Sequence, residues 1–196
     1  MDLLTSPSPD ILGDENIPKE RTPMNFKKAL GLLICIALTV SCFAQQPKMG
    51  VRGKAELKAG AGSITIDYGR PELKGRDMLS KLPVGQFWRM GSNMATVLTT
   101  PVDLAFGSTK VPKGAYSLWL KMAAPDKFEL VFNSQTGQWG MQHDVSKDVF
   151  AIPMKKEALT NSVEVFTIDL KGAPEGGVFV LNWGTIALSA DFKFAQ

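Results

Sequence analysis

Beyond residue 50 the chain alternates apolar and polar positions with a period of two, and glycines and prolines interrupt the alternation at short intervals. That period puts successive side chains on opposite faces of an extended strand. Ser63-Ile64-Thr65-Ile66-Asp67-Tyr68 is the clearest case, and Gly69 and Pro71 end it. Met94 to Thr100 and Val102 to Phe106 predict two short strands parted by Pro101, a residue that a central strand does not tolerate. Gly107-Ser108-Thr109 reads as a hairpin turn. Pro112-Lys113-Gly114 turns the chain into a strand over Tyr116 to Leu120, and Lys127 to Phe132 pairs with it across a turn at Ala124-Pro125-Asp126. Ser162 to Leu170 alternates again. Gly176-Gly177 then leads into Val178 to Trp183, and Gly184 separates that run from Thr185 to Phe194, so these last three segments predict a meander that carries much of the core. Asp77 to Leu82 is the one stretch that reads as a helical turn, too short to stand alone. The pattern predicts an all-β fold, an antiparallel β-sandwich or open barrel, in a single domain.

The first 50 residues follow another rule. Met24-Asn25-Phe26-Lys27-Lys28 precedes an apolar run from Ala29 to Val40, and Ser41-Cys42-Phe43-Ala44 closes it with small residues. A basic start, an apolar middle and a small-residue exit read as a secretory signal peptide over residues 24–44. The run is shorter than the ~20 apolar residues of a membrane-spanning helix, so no transmembrane segment is expected in the mature chain. Residues 1–23 carry Pro7, Pro9, Pro18, Pro23 and five acidic residues. They cannot assist export, and they read as a start placed ahead of Met24 or, as the lesser alternative, a disordered cytoplasmic extension. Cleavage after Ala44 leaves a short linker over 45–51 and one domain over 52–196. A lipid anchor on Cys42 is the minority alternative, because Thr39 stands where such signals carry an aliphatic residue. Both routes predict an exported protein, in the periplasm or outside the cell.

Cys35 and Cys42 both fall in this leader, so a mature chain beginning at Gln45 offers no disulfide, thiolate nucleophile or cysteine-bound metal. Beyond position 44 stand 18 basic and 14 acidic residues with the signs interspersed. A surplus that small keeps a protein soluble but makes no nucleic-acid footprint. His143 is the single histidine, its neighbour Asp144 points elsewhere in an extended chain, and no nucleophile elbow accompanies them, so it reads as a surface-loop residue. With one histidine and no calcium-loop pattern, neither a metal nor another cofactor is expected.

Four segments stand out together. They are Tyr68-Gly69-Arg70-Pro71-Glu72-Leu73-Lys74-Gly75-Arg76, then Leu82-Pro83-Val84-Gly85-Gln86-Phe87-Trp88-Arg89-Met90-Gly91-Ser92-Asn93-Met94-Ala95-Thr96, then Pro112-Lys113-Gly114-Ala115-Tyr116-Ser117-Leu118, and Gln138-Trp139-Gly140. In combination they resemble the signature of the bacterial domain-of-unknown-function family 2911, over about residues 52–195. Val84, where the family often has an aromatic residue, and Ser92, where it often has alanine, depart from it. The resemblance implies a family without implying an activity.

Read by their chemistry, the same segments concentrate cations. Three of the four arginines beyond the leader, Arg70, Arg76 and Arg89, lie between Tyr68 and Thr96 with Lys74, Trp88 and Asn93. Arginine offers a planar fork suited to carboxylate or phosphate, and tyrosine or tryptophan offers a stacking face. A converging set would bind a small anionic or carbohydrate-like ligand through Tyr68, Arg70, Lys74, Arg76, Trp88, Arg89 and Asn93, with Trp139 as a further ring for a sugar. The plainer reading has the arginines pinning loops through Asp67, Glu72, Asp77 or backbone carbonyls, with Trp88 as a core plug. The sequence therefore supports an exported, non-catalytic binding module. The alternatives are a structural or interaction domain of the cell envelope, whose protein partner the sequence does not name, and a hydrolase using Asp67, Glu72 or Asp77.

Overall fold

The computed structural model describes residues 50–195. The expectations for the extension, the signal peptide and most of the linker lie outside these residues. The described chain is all-β and antiparallel. Its ten strands are β1 Arg52–Ala59, β2 Gly62–Gly69, β3 Phe87–Trp88, β4 Thr96–Thr100, β5 Leu104–Phe106, β6 Thr109–Val111, β7 Gly114–Ala124, β8 Lys127–Asn133, β9 Asp148–Ala173 and β10 Gly176–Phe194. They form one sheet in the order β1-β2-β4-β7-β8-β9-β10-β5-β6, with β3 added alongside β7. The sheet does not close into a barrel. It folds over so that β1 meets β9, and residues from both halves share one core that includes Ile64, Ile66, Leu118, Leu130, Phe166 and Leu181. Among the described residues no helix is long and apolar enough to cross a membrane.

Alternation explains most strands directly. In β2, Ile64, Ile66 and Tyr68 are buried while Asp67 faces solvent. In β7, Leu118, Leu120 and Met122 enter the main core. Yet Ser117 and Trp119, on the opposite face of β7, are buried as well. They lie under a second cover, where Ala95, Trp119 and Val131 form a small cluster with Phe87.

Two expectations need correction. Val178 to Trp183 and Thr185 to Phe194 are one strand rather than two, because Gly184 marks a bulge inside β10 and not a turn. Asp77 to Leu82 forms a hydrogen-bonded turn, with the Leu82 amide on the Leu79 carbonyl at 3.3 Å, and no helix.

The bulge sets the architecture around it. Asn182 faces Thr167, Gly184 faces Val163 and Ile186 faces Ala158, so β9 carries several residues more than β10 over the same distance. Those residues swing out of the ladder with β10. Beyond Met154, where its ladder with β8 ends, the other edge of β9 is taken up by the chain around the end of β2, with a bridge between Glu72 and Val165. The Leu73 amide donates to the Glu164 carbonyl at 2.9 Å, and the Phe166 amide donates to the Pro71 carbonyl at 2.9 Å. Tyr68 Oη donates to the Ile168 carbonyl at 3.1 Å, and Trp183 Nε1 donates to the Glu164 carbonyl at 3.2 Å. Arg70 lies along the same strand, its Nε and Nη2 making long contacts of 3.5 Å to the Phe166 carbonyl and Thr167 Oγ1.

This clasp needs backbone against backbone at its root. A Cβ on Gly69 would sit 2.2 Å from the Ser92 carbonyl oxygen and 2.6 Å from its amide nitrogen. Such overlap has to be relieved by moving main chain, at a cost of about 1–3 kcal/mol or more. Tyr68→Phe removes only one donor and leaves the Ile168 carbonyl unsatisfied, also at about 1–3 kcal/mol. We expect Gly69→Ala to lower the urea midpoint more than Tyr68→Phe, with the slope of the transition unchanged in both. A midpoint unmoved in Gly69→Ala would contradict the packing described.

Candidate functional site

The second cover of β7 is where side chains of mixed chemistry converge. β3 adds to β7 with Phe87 opposite Lys121 and Trp88 opposite Leu120. The Gly85 amide donates to the Met122 carbonyl at 2.7 Å, and the Met122 amide donates to the Gln86 carbonyl at 3.2 Å. Alternation along β3 then separates its two aromatics. Trp88 stacks on Trp183 at 5.1 Å between ring centres and meets Phe166 edge-on at 5.0 Å, on the main-core side. Phe87 packs on the outer cluster, with Lys121 Nζ 5.6 Å from its ring centre.

The loop between β8 and β9 closes over this face. A short bridge pairs Met94 with Trp139, the Gly140 amide donates to the Asn93 carbonyl at 2.8 Å, and the Ala95 amide donates to the Gln138 carbonyl at 3.1 Å. Gly140 is required for closeness: a Cβ there would lie 2.3 Å from Arg89 Cδ and 2.6 Å from the Asn93 carbonyl oxygen. The stem of Arg89 is thus clamped from one side. Its Nε donates to the Gly91 carbonyl at 3.1 Å, and among the described residues its terminal guanidinium nitrogens meet no hydrogen-bond partner. Both remain available to an anion.

Between these elements lies a hollow of about 370 Å³, lined by Gln86, Phe87, Trp88, Arg89, Trp119, Gly140, Met141 and His143. His143 is not the surface residue that the sequence suggested. Its ring stacks on Trp119 at 4.1 Å between centres, nearly parallel at 14°, and meets Phe87 edge-on at 4.5 Å. His143 Nε2 lies 2.8 Å from Asp148 Oδ1, and that oxygen also accepts from Asn133 Nδ2 at 2.8 Å. The 3₁₀ turn Val145–Lys147 brings His143 and Asp148 together. Asp144 starts that turn by accepting from the Ser146 amide at 3.0 Å and the Ser146 hydroxyl at 2.7 Å, and these bonds hold its carboxyl below the ordinary aspartate range.

The eight residues singled out from the sequence fall in several places. Trp88 and Arg89 line the hollow. Asn93 and Trp139 frame it from behind through the bridge to Gly140. Tyr68 is buried in the clasp and Arg70 lies along β9 beside it. Lys74 is exposed, with Nζ 3.7 Å from Glu72. Arg76 donates to the Leu73 and Glu72 carbonyls and borders a different hollow of about 210 Å³. The three arginines therefore share no cavity, and each is tied to a backbone carbonyl. The carboxylates considered for hydrolysis pair locally as well, Asp67 with Arg52, Glu72 with Lys74 and Asp77 with Ser80. Gln86, Phe87, Trp119, Gly140, Met141 and His143 are the lining residues that sequence reasoning did not assign to a site.

Asp148→Ala strips His143 Nε2 and Asn133 Nδ2 of their shared acceptor, and we expect a loss of about 1–3 kcal/mol in urea unfolding. Asp144 has a depressed folded-state pKa, so its contribution is present above the ordinary aspartate range and is lost as the pH falls through the folded value. Asp144→Asn, which caps without titrating, should remove that part of the acid sensitivity when the urea midpoint is followed against pH.

Neither the curated proteins nor the solved structures hold a significant match to this chain. A family model described as a protein of unknown function (DUF2911) matches residues 51–192, so the chain belongs to domain-of-unknown-function family 2911.

Proposed function

We propose that this chain is a non-catalytic binding module of the cell envelope for a small ring-bearing anion, such as an acidic sugar, held in the hollow above β7. One observation carries the reading. Arg89, clamped by Gly140 and with terminal nitrogens that meet no partner among the described residues, lines the same hollow as Phe87, Trp119 and His143. A guanidinium fork beside aromatic walls suits a carboxylate carried on a ring with an apolar face. Binding is favoured over hydrolysis because glycoside cleavage uses two facing carboxyl groups. The lining of this hollow supplies none. The leader pattern over residues 24–44 supports placement of the module beyond the inner membrane.

The test compares methyl β-D-glucuronide with methyl β-D-glucoside, which share a ring and differ in the carboxylate. Titration calorimetry should show saturable, salt-sensitive binding of the glucuronide and at least tenfold weaker binding of the glucoside. Arg89→Gln should weaken glucuronide binding by about tenfold to a hundredfold, the range of a lost charge-assisted hydrogen bond. Its unfolding free energy should fall by no more than the bond to the Gly91 carbonyl contributes, about 0.5–1.5 kcal/mol. Equal binding of both sugars, or of neither, would overturn the reading.

A further inference from the structure

A second hollow adjoins the first, and Phe87 lines both. Its volume is about 260 Å³, and its walls are Phe87, Lys121, Val131, Val145, Asp148, Val149, Phe150 and Ala151. The first gathers the Arg89 guanidinium, a glutamine and an imidazole among rings. The second sets aliphatic and aromatic side chains beside Lys121 and Asp148, and two of its walls, Val145 and Val149, are 57% and 45% exposed. The polar groups of this second hollow are already engaged. Lys121 lies 3.8 Å from Glu129 and over the Phe87 ring, while Asp148 is held by His143 and Asn133. A polar ligand group would find few free partners there.

Resting on the binding function proposed above, we infer that the ligand is amphiphilic: its anionic ring occupies the Arg89 hollow and an apolar arm crosses Phe87 into the hollow walled by Val131, Val145 and Val149. The argument is continuity and chemistry. Phe87 lines both spaces, so a ligand seated against it in one lies beside the other. Exposed valines around a concave surface gain from being covered, and the gain scales with the apolar area removed from water. The second hollow holds about the volume of nine water molecules, enough for an arm of some six carbons.

The experiment is a homologous series of methyl, butyl and hexyl β-D-glucuronides, titrated by calorimetry below their aggregation thresholds. Affinity should rise by up to about fourfold for each methylene that enters the second hollow, and the heat capacity of binding should grow more negative along the series. The double variant Val145→Ser, Val149→Ser, at positions exposed enough for the fold to tolerate a hydroxyl, should flatten the increment per methylene. A neutral comparison series, the alkyl β-D-glucosides, should show the same increments from a weaker starting point. If the methyl glucuronide binds and the three glucuronides bind equally, the apolar arm is wrong while the anion site stands. If increments appear but survive the double variant, the arm lies elsewhere and the inference is likewise overturned. Failure of the methyl glucuronide itself counts against the underlying binding function.

Discussion

A strand edge that outruns its neighbour leaves amides and carbonyls with nothing opposite them, and inside a protein such groups must find other partners. In this fold the edge of β9 beyond the end of its ladder with β8 is of that kind, and the segment from Tyr68 to Leu73 is the partner. Much else depends on the match. It joins the end of β2 to β9, two strands far apart in the sheet order, and so holds the folded-over halves of one continuous sheet against each other. Gly69 permits the close approach of Ser92, which in turn places the chain from Met90 onward. The Tyr68 and Arg70 side chains, which look like ligand donors in isolation, reinforce the same seam.

The site follows from a second requirement, that β7 be covered on both faces. Leu118 and Leu120 face the main core, so Trp119 on the other side would be bare without a lid. β3 and the 138–143 loop are the two pieces of that lid, pinned to each other by the Asn93 to Gly140 bond and to the sheet by the β3 ladder. Two lid pieces meeting over a flat strand do not seal perfectly. The gaps either side of Phe87 are the two hollows, and Arg89 and His143 stand in the seam between the pieces.

The strands with strong alternation were legible in the sequence, including β2, β4, β7, β8 and the far half of β9. β1 was not, because the residues it buries are largely alanines, Ala55 and Ala59, which give a weak period. The first half of β9 was hidden by Pro153, which reads as a strand breaker yet sits in register opposite Glu129. Gly184 reads as a separator because a bulge and a turn draw on the same residue type. For the site, the segment around Trp88 and Arg89 stood out by composition alone. His143 and Asp148 did not, since a 3₁₀ turn rather than any strand or helix period brings them together. The dispersal of Arg70, Arg76 and Arg89 was equally invisible, because nearness along a Gly- and Pro-rich loop does not fix the direction of a side chain.

The most direct test of this account is amide hydrogen exchange at Leu73 and Phe166, read residue by residue by NMR. The clasp requires both amides to be protected to a degree comparable with the paired amides of β7 and β8, because opening them unfastens the sheet as a whole. Exchange at the rate of an unpaired surface loop would show that the halves are held together by something else.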